Sequence, residues 1–219
     1  MSDEIDDQEV DSEKPIEAAQ VSTSVEMETI ALIGDVTESS ANEIIFSLLV
    51  HREKKLSDRL ISLINQQLSE DSSEEEEEIE DNINFYISTN GGSADEMYGI
   101  YDIMRLLQNK DKIVISTIGI GKVMSAGVLL LAAGTKGHRK IGKHCRVMIH
   151  SVIGGHMGPM HQLVTEFEQM KKVQDSYIKS LVEVTSMTEE YLTDLLDRKT
   201  NIYLTAEEAV NLGIADEIF

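Results

Sequence analysis

Between residues 28 and 219, short apolar runs of strand length alternate with segments whose apolar residues recur every third or fourth position. This alternation limits what the chain can fold into more than any other feature. "ETIALIG" (28–34), "INFYIST" (83–89), residues 112–118, "CRVMIHS" (145–151) and the closing "IADEIF" (214–219) read as strands. Helices fall between them. The first, 37–49, carries Ile44, Leu48 and Leu49 on one face, with Ser40 and Glu43 at capping-box spacing. The second opens at Ser93, again with a glutamate, Glu96, three residues on, and aligns Met97, Ile100, Tyr101, Met104 and Leu107. A third carries Ser125. A long fourth follows the Gly-rich "VIGGHMGPM" and runs to about Thr185, with Leu163, Phe167, Met170, Val173, Tyr177, Leu181 and Val184 at spacings of three and four. "TEEYLTDLL" and "TAEEAVNLG" are short helices before the last strand. The pattern predicts an α/β fold with a mostly parallel sheet, flanking helices and right-handed crossovers, without internal repeats.

With 219 residues, 41% of them apolar, the chain can bury one full core, which we place over residues 26–219. The net charge of −21 is concentrated in two places. Residues 1–30 hold ten acids against one lysine, and "DSSEEEEEIED" (71–81) holds eight acids and no base, which leaves about −4 for the rest. Residues 1–25 therefore read as a disordered acidic tail. Residues 51–81 read as an acidic insertion: helix can persist through "LSDRLISLINQQL", and the glutamate run beyond it is solvated. An acidic chain of this kind is not expected to bind nucleic acid or an anionic membrane. A lone cysteine, Cys145, excludes an internal disulfide framework and fits a reducing compartment. The N-terminus has neither the basic nor the apolar region of a secretory signal, and the longest apolar stretch, near 126–133, is too short to cross a bilayer. The expected location is the cytoplasm.

Three stretches could carry chemistry. Ser125 sits where a buried strand gives way to a helix, with Ala126 and Gly127 behind it. In isolation it reads as a helix cap. As a nucleophile it would stand at a helix N-terminus, where the free N–H of Ala126 can face an oxyanion. The G-x-S-x-G elbow is absent, because Val123 occupies its first glycine position. A serine nucleophile needs a base. Of six histidines, His138 and His144 lie in a basic turn, His51 in the charged extension, and His156 and His161 around the Gly/Met loop. Only His150 ends an apolar strand, which is how a sheet edge presents a side chain, although a lone histidine there is more often a satisfied core residue. His150, His156 and His161 match no common metal-ligand spacing, so no metal or other cofactor is expected. "TNGGS" (89–93) alone is an ordinary turn; functionally, Gly91 and Gly92 could bring bare N–H groups beside a substrate carbonyl and pair with an extended peptide.

Taken in order, "STNGGS…YGIYDIMR", "GKVMSAGVLLLAAGTKGHRK", "RVMIHSVIGG" and "YLTAEEAVNLGIAD" resemble the proteolytic subunit of the Clp protease, over roughly residues 28–219. The resemblance implies a serine peptidase of the crotonase-like α/β fold. It implies Ser125 as nucleophile, His150 as base, and the N–H groups of Gly92 and Ala126 as oxyanion donors, with Gly91, Gly92 and Ser151 against the substrate. It further implies peptide or unfolded-protein substrates, a homo-oligomer built as a heptameric ring or double ring, a long protruding helix that joins two rings, and a Clp-type AAA+ ATPase as partner.

Four departures stand against that pattern. The position of the family's triad acid is Asn201, which completes the triad without a charge. Asp197, four residues upstream, matches a different family position. Thr200 replaces the basic residue that links assembly to activity, residues 1–27 contain no recognisable ATPase-docking helix, and 51–81 replaces a short connection. The leading expectation is thus a self-compartmentalised serine endopeptidase with weak or gated activity. The alternatives are an inactive or regulatory ring subunit, a capsid-maturation protease like some virus-encoded relatives, working without an ATPase, and a crotonase-type acyl-CoA enzyme.

Overall fold

A computed structural model describes residues 29–68, 82–155, 157–198 and 200–219. The acidic tail and the glutamate run lie outside the described residues. Among the described residues seven strands form one sheet: β1 (Thr29–Ile33), β2 (Asn82–Thr89), β3 (Val114–Met124), β4 (Arg139–Ile141), β5 (Arg146–Ile149), β6 (Ile202–Leu204) and β7 (Glu217–Ile218). Six helices accompany them: α1 (Glu38–Leu68), α2 (Ala94–Asn109), α3 (Ala126–Ala132), α4 (Met160–Val184), α5 (Glu189–Asp197) and α6 (Ala206–Asn211). Every strand pairing is parallel except β5 with β6. The expected class, α/β with a mostly parallel sheet, is what the chain adopts.

The sheet forks at β3. Its first half pairs with β4 through Thr117–Gly119, and its last three residues pair with β5. The register against β2 jumps between Ile87↔Gly119 and Thr89↔Val123, so β3 spends two extra residues at the fork, where Gly121 takes a φ of +66°. Sequence reading ended this strand at 118. The structure carries it to Met124, because β5 supplies a second partner that apolar periodicity cannot reveal. β4 and β6 are three residues each and were not expected: one lies in the basic turn, the other in a mixed polar stretch.

Helix boundaries follow local chemistry. α1 opens at Thr37, whose hydroxyl accepts the Ser40 N–H while Ser40 accepts the Thr37 N–H. This reciprocal cap replaces the expected Ser40–Glu43 box. Ser93 caps α2 by accepting the Glu96 N–H, as its spacing indicated. The five aligned α2 residues are all buried. α1 continues unbroken to Leu68, held past residue 50 by Arg52, whose guanidinium pairs with the buried Asp111 at 2.7 Å.

The basic turn is a structural knot. Arg139 is 3% exposed and binds Asp216 through two nitrogens while donating to the carbonyls of Ala132, Val184 and Gly213. It thereby ties the ends of α3 and α4 to the approach of β7. Along α4 only Tyr177, Ile178 and Leu181 are buried; Met160, Val164 and Phe167 in its first half are exposed. No helix among the described residues is long and apolar enough to cross a membrane.

Candidate active site

The C-terminal ends of β2, β3 and β5 meet at one edge of the sheet. Ser125 follows β3 directly and adopts φ 54°, ψ −120°, a conformation that costs a non-glycine residue about 1–3 kcal/mol. Both its main-chain groups are held. Its N–H donates to the Met148 carbonyl at 2.8 Å, and its own carbonyl accepts the Val128 N–H at 2.9 Å and the Tyr177 hydroxyl at 3.0 Å. Its side chain makes no capping hydrogen bond, so the cap reading of Ser125 does not hold.

Gly91 and Gly92 lie against this turn with φ of +99° and +153°. A Cβ on Gly91 would stand 2.6 Å from Ser125 Cβ and 2.9 Å from the Met124 carbonyl, and one on Gly92 would meet the Val36 main chain. Only glycine fits either position. Val36 pairs across this stretch, donating to Gly91 O and accepting from Ser93 N. Because N–H groups alternate direction along an extended chain, the Gly92 N–H points away from Val36. The Gly92 and Ala126 N–H groups have no acceptor among the described residues. A polar strut holds the loop: Lys122 Nζ donates to Asn90 Oδ1 at 2.7 Å, Asn90 Nδ2 donates to Asp35 at 3.1 Å, and the Gly91 N–H donates to Thr89 Oγ1 at 2.9 Å. Sequence reading picked out the 89–93 stretch but gave no role to the Lys122, Asn90 and Asp35 side chains, which lie 32 and 55 residues apart in the chain.

His150 follows β5 directly, and β5 runs parallel beside the end of β3 with Met124 opposite Met148. The residue just past β3 and the one just past β5 therefore leave the same sheet edge. His150 Nδ1 lies 2.5 Å from the Ser151 carbonyl. A carbonyl only accepts, so the contact is a hydrogen bond in the tautomer that carries the proton on Nδ1, the one whose Nε2 lone pair is free. The main chain after His150 is held by Gln174, whose Oε1 accepts the Val152 N–H at 3.2 Å. Ser151 is half-buried beside it.

Asn201 immediately precedes β6, whose antiparallel register sets Ile202 opposite Ile149. His150 and Asn201 are the residues next to that last pair, at the same end of the ladder. Asn201 is exposed, and no hydrogen bond joins it to His150, or His150 to Ser125, among the described residues. Asp197 ends α5 and is exposed. His51, His138, His144 and His161 lie elsewhere, and His156 falls outside the described residues. No cluster of three metal-ligating side chains occurs among the described residues. Cys145 is buried, and loss of solvation pushes its thiol up to about 11.

A family model described as Clp protease matches residues 55–219. The chain is 35% identical over 161 residues to ATP-dependent Clp protease proteolytic subunit 2 of Prochlorococcus marinus (strain NATL2A), an alignment that covers 72% of this chain and 74% of that protein. The model begins inside α1, so the strained serine turn, both glycines, His150 and Asn201 all fall within the matched region. With three quarters of its length matched in this way, the chain belongs to the Clp protease family, a family of serine-type peptidases.

Proposed function

We propose that the chain is a serine endopeptidase in which Ser125, His150 and Asn201 form the reacting set. A peptide binds extended beside Gly91 and Gly92, with Ser151 on its flank. Ser125 Oγ attacks the scissile carbonyl as its proton passes to His150 Nε2. The Gly92 and Ala126 N–H groups receive the oxyanion, a term that is usually the largest in acyl transfer. His150 returns the proton to the departing amine, and water then releases the acyl group from Ser125 by the same route. The observation that carries this reading is the conformation of Ser125, strained, held at both main-chain groups, and leaving its hydroxyl outside the helix cap. Covalent labelling by a fluorophosphonate probe tests it. Wild type is expected to label at Ser125; uptake no greater than that of Ser125→Ala would sink the reading.

The rate is expected to be low. Asn201 brings no charge to offset the imidazolium, and where an Asp-to-Asn change also spoils the tautomer, turnover falls by about 10⁴. Here the Ser151 carbonyl supports the working tautomer, which removes part of that penalty. A second reading, an inactive or regulatory subunit, is favoured by the exposure and neutrality of Asn201.

Assembly into a heptameric ring or double ring is supported by the exposed apolar residues of α4. The relative's name describes an ATP-dependent protease, so a Clp-type AAA+ ATPase that feeds unfolded protein is the partner to test first. A cytoplasmic location rests on the single buried thiol.

A further inference from the structure

Ser125 C=O and Ala126 N–H belong to one planar peptide unit and point in opposite directions. Whatever fixes the carbonyl therefore aims the N–H. That carbonyl accepts two hydrogen bonds. One comes from Val128, inside the helix that Ser125 leads into. The other comes from Tyr177 on α4, fifty-two residues away, at 3.0 Å. Tyr177 is 6% exposed, and a phenol so buried needs a partner for its hydroxyl. Among the described residues the partner of its hydroxyl is this carbonyl.

We infer that Tyr177 is a positioning residue for the oxyanion hole. Its hydroxyl pins the Ser125–Ala126 peptide plane, holds Ser125 at its positive φ, and keeps the Ala126 N–H turned outward to the developing charge. The inference rests on the peptidase reading of Ser125 and Ala126. Gln174, one helical turn earlier on α4, braces the segment after His150 from the same helix.

The test compares full-length wild type, Tyr177→Phe and Tyr177→Met, which both keep an apolar body and remove the donor. Tyr191→Phe, at an exposed tyrosine on α5, is the control. Four quantities are measured: the fluorophosphonate labelling rate, kcat and KM on a fluorogenic peptide, native mass, and hydrogen exchange of the amides over 125–128. Both Tyr177 variants should label and turn over about tenfold more slowly, a fraction of the loss when an oxyanion donor is removed outright. KM should stay within about twofold and native mass should not change, while exchange over 125–128 becomes faster. Tyr191→Phe should move none of them. Wild-type labelling and kcat in the Tyr177 variants would overturn the inference, as would a loss explained by failed assembly or by a rise in KM alone. If wild type labels no better than Ser125→Ala, the peptidase reading fails on that result. Exchange then still decides whether Tyr177 pins this peptide, and unchanged exchange overturns it.

Discussion

An imidazole that accepts a proton becomes a cation, and what faces it sets the cost. His150 and Asn201 each flank the last pair of the β5–β6 ladder, Ile149 opposite Ile202, and Asn201 offers a dipole where a carboxylate would offer a charge. Asn201→Asp should therefore raise kcat about tenfold to a hundredfold, less than the 10⁴ seen where tautomer and charge are lost together, because the Ser151 carbonyl already supports the tautomer. Peptidase assays on the purified variant check this; an unchanged kcat would favour the inactive-subunit reading. The thiol of Cys145 gives a second test at this scale. Burial raises its pKa to about 11, so it stays a neutral, unreactive thiol at neutral pH. Alkylation by iodoacetamide should be slow at pH 8 in the native state and fast after unfolding. Since the folded state holds the proton more tightly, the contribution of Cys145 to stability is complete below the unfolded value near 9 and declines as pH rises toward 11. Ser125, His150 and the two glycines could be singled out in the sequence by residue type and by the order of their motifs, although Ser125 alone reads as a cap and His150 alone as a core residue. The Ser151 carbonyl was not, since a main-chain oxygen leaves no mark on a sequence. Tyr177 was visible only as one member of an apolar stripe.

Elements were legible where periodicity spans several turns or a full buried strand. α2 buries the five residues its spacing selected, and α4 ends where its pattern ends. The misses are short or shared. β4 is three residues long and begins with Arg139, which no hydrophobic pattern would place in a core. What makes it a strand is the Arg139–Asp216 knot. Burial by itself would raise the Asp216 pKa, but hydrogen bonds from the Arg139 guanidinium and main chain, and from Gly137, draw it down overall. That contribution to stability is present above the ordinary carboxylate range and is lost as pH falls through the lowered value. Asp216→Asn leaves the Arg139 charge buried without a counterion, which costs about 3 kcal/mol. At roughly 2–4 °C per kcal/mol for a domain of this size, thermal unfolding should shift down by about 6–12 °C. Scanning calorimetry of the variant measures it, and a Tm within a degree or two of wild type would show that Arg139's carbonyl partners suffice alone.

A single chain leaves part of its apolar surface without cover, and the pattern of that surface argues for more than one copy. Among the described residues little covers the first half of α4: Leu163 and Met170 are only half-buried, Val164 is 51% exposed, Phe167 57% and Met160 75%, with Ile153 and Met157, barer still, leading in. The C-terminal half of the same helix is anchored in the core by Tyr177, Ile178 and Leu181. Helices of one chain seldom carry an apolar stripe on past their own core, so the stripe reads as the face of an interface. A twofold contact doubles each side chain's contribution, because each change enters the interface twice. Charge introduced there should be tolerated by the fold and rejected by the assembly. On the double-ring assembly proposed above, Val164→Asp with Phe167→Asp is therefore expected to halve the native mass, leaving rings that no longer pair, while the thermal transition of the fold stays within a few degrees of wild type. Native mass spectrometry beside calorimetry separates the two effects. Full-mass assemblies from the doubly charged variant would show that α4 faces solvent in the complete particle and that another surface joins the copies. Since Tyr177 anchors this helix to the Ser125 carbonyl, the halved assemblies also reveal whether the site depends on pairing: fluorophosphonate labelling that persists in them places the whole reacting set within one ring.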